Sequence, residues 1–185
     1  MAPLALNEIK GFLCDLDGVL YVGDKPIEGA VAFVEDLQAA KIPCRFLTNT
    51  TTRSLDTLFE KVQRLGLPIE KSELVTPPKI AAEYLRRMGQ PRCLLIMEDD
   101  TKKDLAGIPT DENNPEVIVI GHYGNRWNYD LLNRLFHMIM NGTQLVALHK
   151  GRYWQTERGL TLDIGAFVTA LEYATGTQAT VIGKP

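Results

Sequence analysis

Short apolar runs alternate along the chain with stretches whose apolar residues return every three or four positions. Residues 11–16 form an apolar run too short for a helix and broken by Asp-Gly, which predicts a buried strand. From 29 to 40, Ala30, Val31, Phe33, Val34 and Leu37 keep helical spacing. Pro43 then leads into a second predicted strand at 44–47, followed by a polar loop over 48–53. Ser54 suits the N-cap of the next helix, which places Leu55, Leu58, Val62 and Leu65 on one face and stops at Gly66. Strand, helix and strand joined by short links predict parallel pairing with a right-handed crossover.

The alternation continues. A helix carrying Ile80, Ala81, Tyr84, Leu85 and Met88 ends at Gly89, and a strand is predicted at 93–97. A polar loop fills 99–115, and its Asp111-Glu112-Asn113-Asn114-Pro115 end is the most linker-like stretch of the chain. Then come a strand at 117–120, a helix around 129–141, a strand at 145–148, a helix through 164–175 and a strand start at 180–182. No internal repeat or low-complexity tract interrupts the pattern.

Length and composition narrow the classes. The 185 residues suit one generous domain, or one domain carrying a smaller insertion. With 45% apolar and 23% charged residues the chain is not disordered, collagenous or a coiled coil. A net charge of −3 argues against general binding to nucleic acid or anionic membrane, both of which want a basic excess. Cys14, Cys44 and Cys93 show no metal-type spacing and read as reduced thiols. Residues 1–8 lack the features of a signal peptide, and no apolar run approaches the ~20 residues of a membrane helix. The expectation is a soluble, cytoplasmic protein.

The sharpest chemical feature is Phe12-Leu13-Cys14-Asp15-Leu16-Asp17-Gly18-Val19-Leu20-Tyr21. Two acids two residues apart at the carboxyl end of a strand would share a face in extended chain, in the place where open α/β sheets bind ligands. Crowded carboxylates repel unless a cation offsets them, and the hard, oxygen-ligated ion that fits is Mg2+. Gly18 would let the chain turn sharply and bring amides to a bound anion. The second strand ends in Leu47-Thr48-Asn49-Thr50-Thr51-Thr52, so Thr48 should face the same crevice as Asp15, with a hydroxyl and amides able to donate to phosphate. Gly183-Lys184-Pro185 follows another apolar strand, and Lys184 beside two acids and a phosphate would offset both.

Taken in order, these three motifs resemble the haloacid dehalogenase superfamily of phosphotransferases, and more closely its phosphatase branch with an α/β cap between the second and third motifs. The resemblance spans essentially the whole chain. It implies a doubly wound, Rossmann-like parallel-sheet core, incomplete in this chain, formed by residues 1–76 and rejoined at 180–185, with 77–179 as the inserted α/β cap. It implies a Mg2+-dependent phosphatase in which Asp15 is the nucleophile and forms an aspartyl-phosphate, and Asp17 is the general acid and base. The Asp15 carboxylate and the Asp17 backbone carbonyl would hold the metal, and Gly18, Thr48, Asn49 and Lys184 the phosphate. The family also has a later strand ending in Gly-Asp with a further acid; the sequence stops at Pro185, so a longer polypeptide is expected. The rivals are a catalytically silent phosphate-binding protein and a phosphotransferase acting on an alcohol.

Other features are weaker. Glu98, Asp99 and Asp100 after an apolar strand form a metal-like acidic cluster, but Lys102 and Lys103 suggest a solvated surface of the cap. Residues 150–158 interleave basic and aromatic side chains and read as a cap loop bordering an anionic substrate. His122, His137 and His149 show no ligand spacing; of the three, His149 is the one placed to meet substrate. Tyr123, Trp127 and Tyr129 suit cap packing or an oligomer surface. The partners expected are a small phosphorylated molecule and a second copy through the cap, with neither nucleic acid nor membrane.

Overall fold

The computed structural model describes residues 9–156 and 159–184. Residues 1–8, expected to carry no signal, Glu157 and Arg158 of the basic-aromatic stretch, and Pro185 of the last motif lie outside the described residues. The chain divides into two compact units, one of residues up to 48 with 55–75, the other of 49–54 and 76 onward.

The first unit runs β1 (Phe12–Asp15), β2 (Tyr21–Val22), β3 (Lys25–Pro26), α1 (Ala30–Ala39), β4 (Cys44–Leu47), α2 (Leu55–Arg64) and β5 (Leu74–Val75). Its sheet is parallel in the order β1-β4-β5. Ala30, Val34 and Leu37 of α1 and Leu55, Leu58 and Val62 of α2 pack in one core with Phe46 of β4 and Leu74 of β5, so the helical spacing in the sequence marks the buried faces. β1 stands at an edge of this sheet, paired only with β4 among the described residues, and Leu13 is 77% exposed. A hairpin joins β2 to β3, with Tyr21 opposite Pro26 and Val22 opposite Lys25. Its two-residue Gly23-Asp24 turn, with φ 57° at Gly23, is a sequence signal the apolar pattern alone does not reveal.

The second unit runs α3 (Pro77–Arg87), β6 (Cys93–Ile96), α4 (Asp99–Lys102), β7 (Val117–Ile120), α5 (Tyr129–Met140), β8 (Gln144–Ala147), β9 (Tyr153–Thr156), β10 (Gly159–Leu162), α6 (Ile164–Thr175) and β11 (Thr180–Val181). Four strands form a parallel sheet in the order β11-β8-β7-β6. The period-two alternation within β7 separates its two faces. Val117 and Val119 join Ala81, Ala82 and Leu85 of α3, whereas Ile118 and Ile120 join Leu135 and Ile139 of α5 and Val168 and Leu171 of α6. Helices thus cover both faces of a parallel sheet, and the fold class is α/β. The stretch read as a cap loop is an antiparallel hairpin, β9 against β10.

The last described residues stay with this sheet, whereas the sequence places 180–185 with the core. Thr180 and Val181 pair with Val146 and Ala147, and the ladder runs on as Ile182 N–H donates to Ala147 O (3.0 Å) and Gly183 N–H to Leu148 O (2.8 Å). Among the described residues no helix is long and apolar enough to cross a membrane. The three cysteines are free thiols; burial raises all three above the ordinary thiol range, Cys93 to about 11.

α6 begins against the main chain of the preceding segment. A Cβ on Gly165 would lie 2.4 Å from Gly151 O and 2.6 Å from Lys150 O, both backbone atoms that cannot swing away. Gly165→Ala should therefore destabilise the unit by about 2 kcal/mol, lowering the midpoint of thermal unfolding by roughly 4–8 °C. A midpoint within about 1 °C of the parent would show that α6 shifts without cost.

Candidate functional site

β1 ends at Asp15 and runs directly into a tight turn. Leu16 O accepts from the N–H groups of Val19 (3.3 Å), Leu20 (2.9 Å) and Tyr21 (3.4 Å), and Gly18 N–H donates to Tyr21 O (2.8 Å). The turn passes through φ 80° at Gly18, a left-handed conformation that glycine adopts without a Cβ penalty. This changes two expectations. Asp17 lies outside the strand, so strand periodicity does not orient it; the turn does. The Gly18 amide is engaged within the turn, so Gly18 shapes the site rather than donating to an anion.

The turn delivers the Asp17 carboxylate to two hydroxyls. Its Oδ2 accepts from Tyr21 Oη (3.3 Å) and from Thr48 Oγ1 (3.4 Å). Thr48 is buried at the end of β4, where its N–H continues the ladder to Val75 O (3.2 Å). Asp15 stands opposite Leu47 in the β1–β4 register, so Asp15 and Thr48 mark the same end of neighbouring strands, as the spacing predicts. Asp15 Oδ1 accepts from Leu16 N–H (2.8 Å). Tyr21 is a residue whose part sequence reasoning misses. Its ring is buried, Lys61 Nζ sits 4.3 Å from the ring centroid, and the same ammonium is 3.7 Å from Asp24 of the hairpin turn. The four-residue spacing from Asp17 is visible in the sequence, but its meaning depends on the turn.

Asn49 and Lys184 come together in the second unit. Asn49 Oδ1 accepts from Lys184 N–H (2.9 Å) and its Nδ2 donates to Lys184 O (3.2 Å), so this side-chain amide grips the lysine main chain. Gly183 makes the approach possible, because a Cβ there would lie 2.7 Å from Asn49 Oδ1 and 2.6 Å from Leu148 O. Three further ties hold the same loop. Thr51 Oγ1 accepts from His122 N–H (3.2 Å), Thr51 O accepts from Thr101 Oγ1 (2.8 Å), and Ser54 N–H donates to Asp100 Oδ2 (2.8 Å).

His149, the histidine that the sequence places nearest a substrate, is buried. It is 4% exposed, and its Nε2 lies 3.2 Å from Thr51 Oγ1. Gly151 N–H donates to its Nδ1 (3.1 Å), which places the ring proton on Nε2, facing Thr51. The acidic cluster is likewise occupied by basic partners: Glu98 by Arg126, Asp99 by Lys102 and Asp100 by Lys103, each at 2.7 Å. The Lys102 hydrogen bond and charge hold Asp99 below the usual carboxylate range. Among the described residues no three His, Cys, Asp or Glu side chains gather as a metal cluster.

Comparison with known proteins places this geometry. The family model described as haloacid dehalogenase-like hydrolase matches residues 12–108. The human haloacid dehalogenase-like hydrolase domain-containing protein 2 is 39% identical over 181 residues, which is 98% of this chain and 69% of that protein. The human phospholysine phosphohistidine inorganic pyrophosphate phosphatase is 36% identical, over 100% of this chain and 70% of its own length. Among solved structures, the 4-nitrophenylphosphatase of Thermotoga maritima superposes with a TM-score of 0.87 at 26% identity, over 96% of this chain and 69% of that one.

The buried histidine carries a pH signature. Burial lowers the His149 pKa below 6.5, with His122 adding to the effect and the Asp163 carboxylate opposing it. Where the unfolded chain binds a proton that the folded one refuses, stability rises with pH. The contribution is therefore complete above about pH 6.5 and is lost as pH falls below it. His149→Asn should be less stable at about pH 7.5 and show a shallower fall in melting temperature from about pH 7.5 to 5.5. Parallel curves for the two proteins would contradict this.

Proposed function

Because the chain belongs to the haloacid dehalogenase-like hydrolases, we propose that it is a Mg2+-dependent phosphatase of a small phosphorylated molecule, working through an aspartyl-phosphate on Asp15. The observation that carries the proposal is the convergence of the two motifs: the carboxylate of the turn after β1 is held by the hydroxyl that ends β4. Relatives named as phosphatases support the same reading.

In the first step an Asp15 carboxylate oxygen attacks phosphorus, a new O–P bond forms, and the bond to the leaving oxygen breaks as Asp17 gives that oxygen a proton. In the second step Asp17 takes a proton from water as the water oxygen attacks phosphorus, and Asp15 is released as carboxylate with inorganic phosphate. Asp17 thus needs one orientation in both steps, and the Tyr21 and Thr48 hydroxyls supply it. The resemblance gives Asn49 and Lys184 the remaining phosphate contacts. The grip of Asn49 on the Lys184 main chain makes Asn49 a positioning residue for that lysine.

The donor set suits magnesium. One carboxylate, that of Asp15, with the peptide oxygen of Asp17 matches a hard cation that keeps several waters and binds through one or two carboxylates. Asp15 through its carboxylate and Asp17 through its backbone carbonyl would hold it, which leaves the Asp17 carboxyl group to carry the proton, and when bound it offsets charge on the phosphoryl oxygens.

The test is hydrolysis of p-nitrophenyl phosphate with and without Mg2+. Turnover should vanish with chelator and return with the metal, and Asp15→Asn should lower kcat/KM by about 10^3-fold or more without changing the far-ultraviolet circular dichroism. Parental activity in that variant would overturn the assignment. Tyr21→Phe removes only a hydroxyl and should cost about 10-fold in kcat/KM. An unchanged kcat/KM would remove Tyr21 from the site.

A further inference from the structure

α2 buries a lysine on its apolar side. Lys61 stands three residues after Leu58 and next to Val62, both in the core, and its side chain is only 11% exposed. Lysine is almost never buried so far without a partner. Two groups of the β2–β3 hairpin meet its ammonium: Nζ lies 4.3 Å from the centroid of the Tyr21 ring and 3.7 Å from Asp24 Oδ1. The two contacts are unequal. The Asp24 side chain is 87% exposed, and an ion pair of that length at a solvated turn adds little. The Tyr21 residue is 1% exposed, so the cation meets its π face away from water, where the attraction is stronger.

Fold stability does not account for the charge. A methionine of similar length would cover the same apolar surface without the cost of desolvating an ammonium. The charge acts on the tyrosine, and the tyrosine serves both the hairpin and the turn after β1. Its main chain closes that turn, with its N–H on Leu16 O (3.4 Å) and its O accepting from Gly18 N–H (2.8 Å), and its hydroxyl donates to Asp17 Oδ2 (3.3 Å). β2 and β3 have two residues each, and a hairpin so short does not fix a side chain by its own bonds. A cation over the ring fixes the tilt of the ring. It also draws electron density from the phenol, which makes the O–H a stronger donor.

We propose that Lys61 is a positioning residue for the hydrolytic reaction: through the Tyr21 ring it holds the Tyr21 hydroxyl on the Asp17 carboxylate. Its effect on turnover rests on the phosphatase reading. The geometry lies within the first unit, which holds Asp17, Tyr21, Asp24 and Lys61.

The full chain is assayed with p-nitrophenyl phosphate and Mg2+ as the parent, Lys61→Met, Tyr21→Phe and the double variant. Lys61→Met removes the charge and keeps the length, and its far-ultraviolet circular dichroism should match the parent's. It should lower kcat about 5-fold and leave KM within about 2-fold, because the group that loses its hold acts in proton transfer and not in binding. On the Tyr21→Phe background, which has no hydroxyl to hold, the same change should cost less than about 2-fold. Lys61→Gln, a second uncharged variant, should repeat both results, so misfolding of one variant decides nothing. Asp24→Asn should stay within about 2-fold of the parental kcat. Parental kcat in Lys61→Met, an equal loss on both tyrosine backgrounds, a loss confined to KM, or a loss in Asp24→Asn as large as that in Lys61→Met would each overturn the proposal.

A second readout needs no turnover. With 13C at Cζ of the six tyrosines, the Tyr21 line is the one missing from the spectrum of Tyr21→Phe, and Lys61→Met should move that line and leave the others in place. A Tyr21 line that stays put would overturn the proposal whatever the kinetics. A line that moves while the parent turns over no p-nitrophenyl phosphate would tell against the hydrolytic reading and leave the hold of Lys61 on Tyr21 standing.

Discussion

Asp17 leaves β1 on a turn that closes only because Gly18 takes a left-handed backbone, and that turn carries its carboxylate to the hydroxyls of Tyr21 and Thr48. The rest of the first unit supports this contact. The β1–β4 register brings Asp15 and Thr48 to the same end of the sheet, and the β4–β5 ladder continues into the Thr48 amide. α1 and α2 bury their apolar faces in the core that contains Phe46, which keeps β4 in place. Hydrogen bonds of 3.3–3.4 Å are individually modest. Their value is directional: two donors from separate elements fix the orientation of the carboxyl group to which the proposed mechanism gives both proton transfers.

Much of the fold is legible in the sequence because its signals are periodic and local. Val117-Ile118-Val119-Ile120 reads as a strand buried on both faces and is one. The helical spacing of Leu55, Leu58 and Val62 marks the buried face of α2. What escapes the pattern is short. β2, β3 and β5 have two residues each, too few for periodicity to register.

The site divides in the same way. Asp15, Asp17 and Thr48 stand out as candidates from residue type and spacing, and the structure brings the Asp17 carboxylate and the Thr48 hydroxyl together. The service of Tyr21 to Asp17, and of Asn49 to Lys184, cannot be read that way, because each depends on a backbone turn or a close approach. Glycines carry much of this hidden information: Gly183 and Gly165 stand where a Cβ would strike main-chain atoms, and Gly151 where it would strike the Asp163 carboxylate. His149 illustrates the opposite case. Its place beside a basic-aromatic loop suggests ligand contact, and the fold buries it as a tether for Thr51.

The central claim is that an Asp15 oxygen takes the phosphoryl group. The direct measurement is chemical trapping during turnover of p-nitrophenyl phosphate with Mg2+, by borohydride reduction of the acyl phosphate and then mass spectrometry of the proteolysed chain. The account predicts reduction at Asp15, seen as homoserine in the peptide spanning that position and absent without substrate. Turnover that yields no reduced residue, or yields one at another acid, would contradict it.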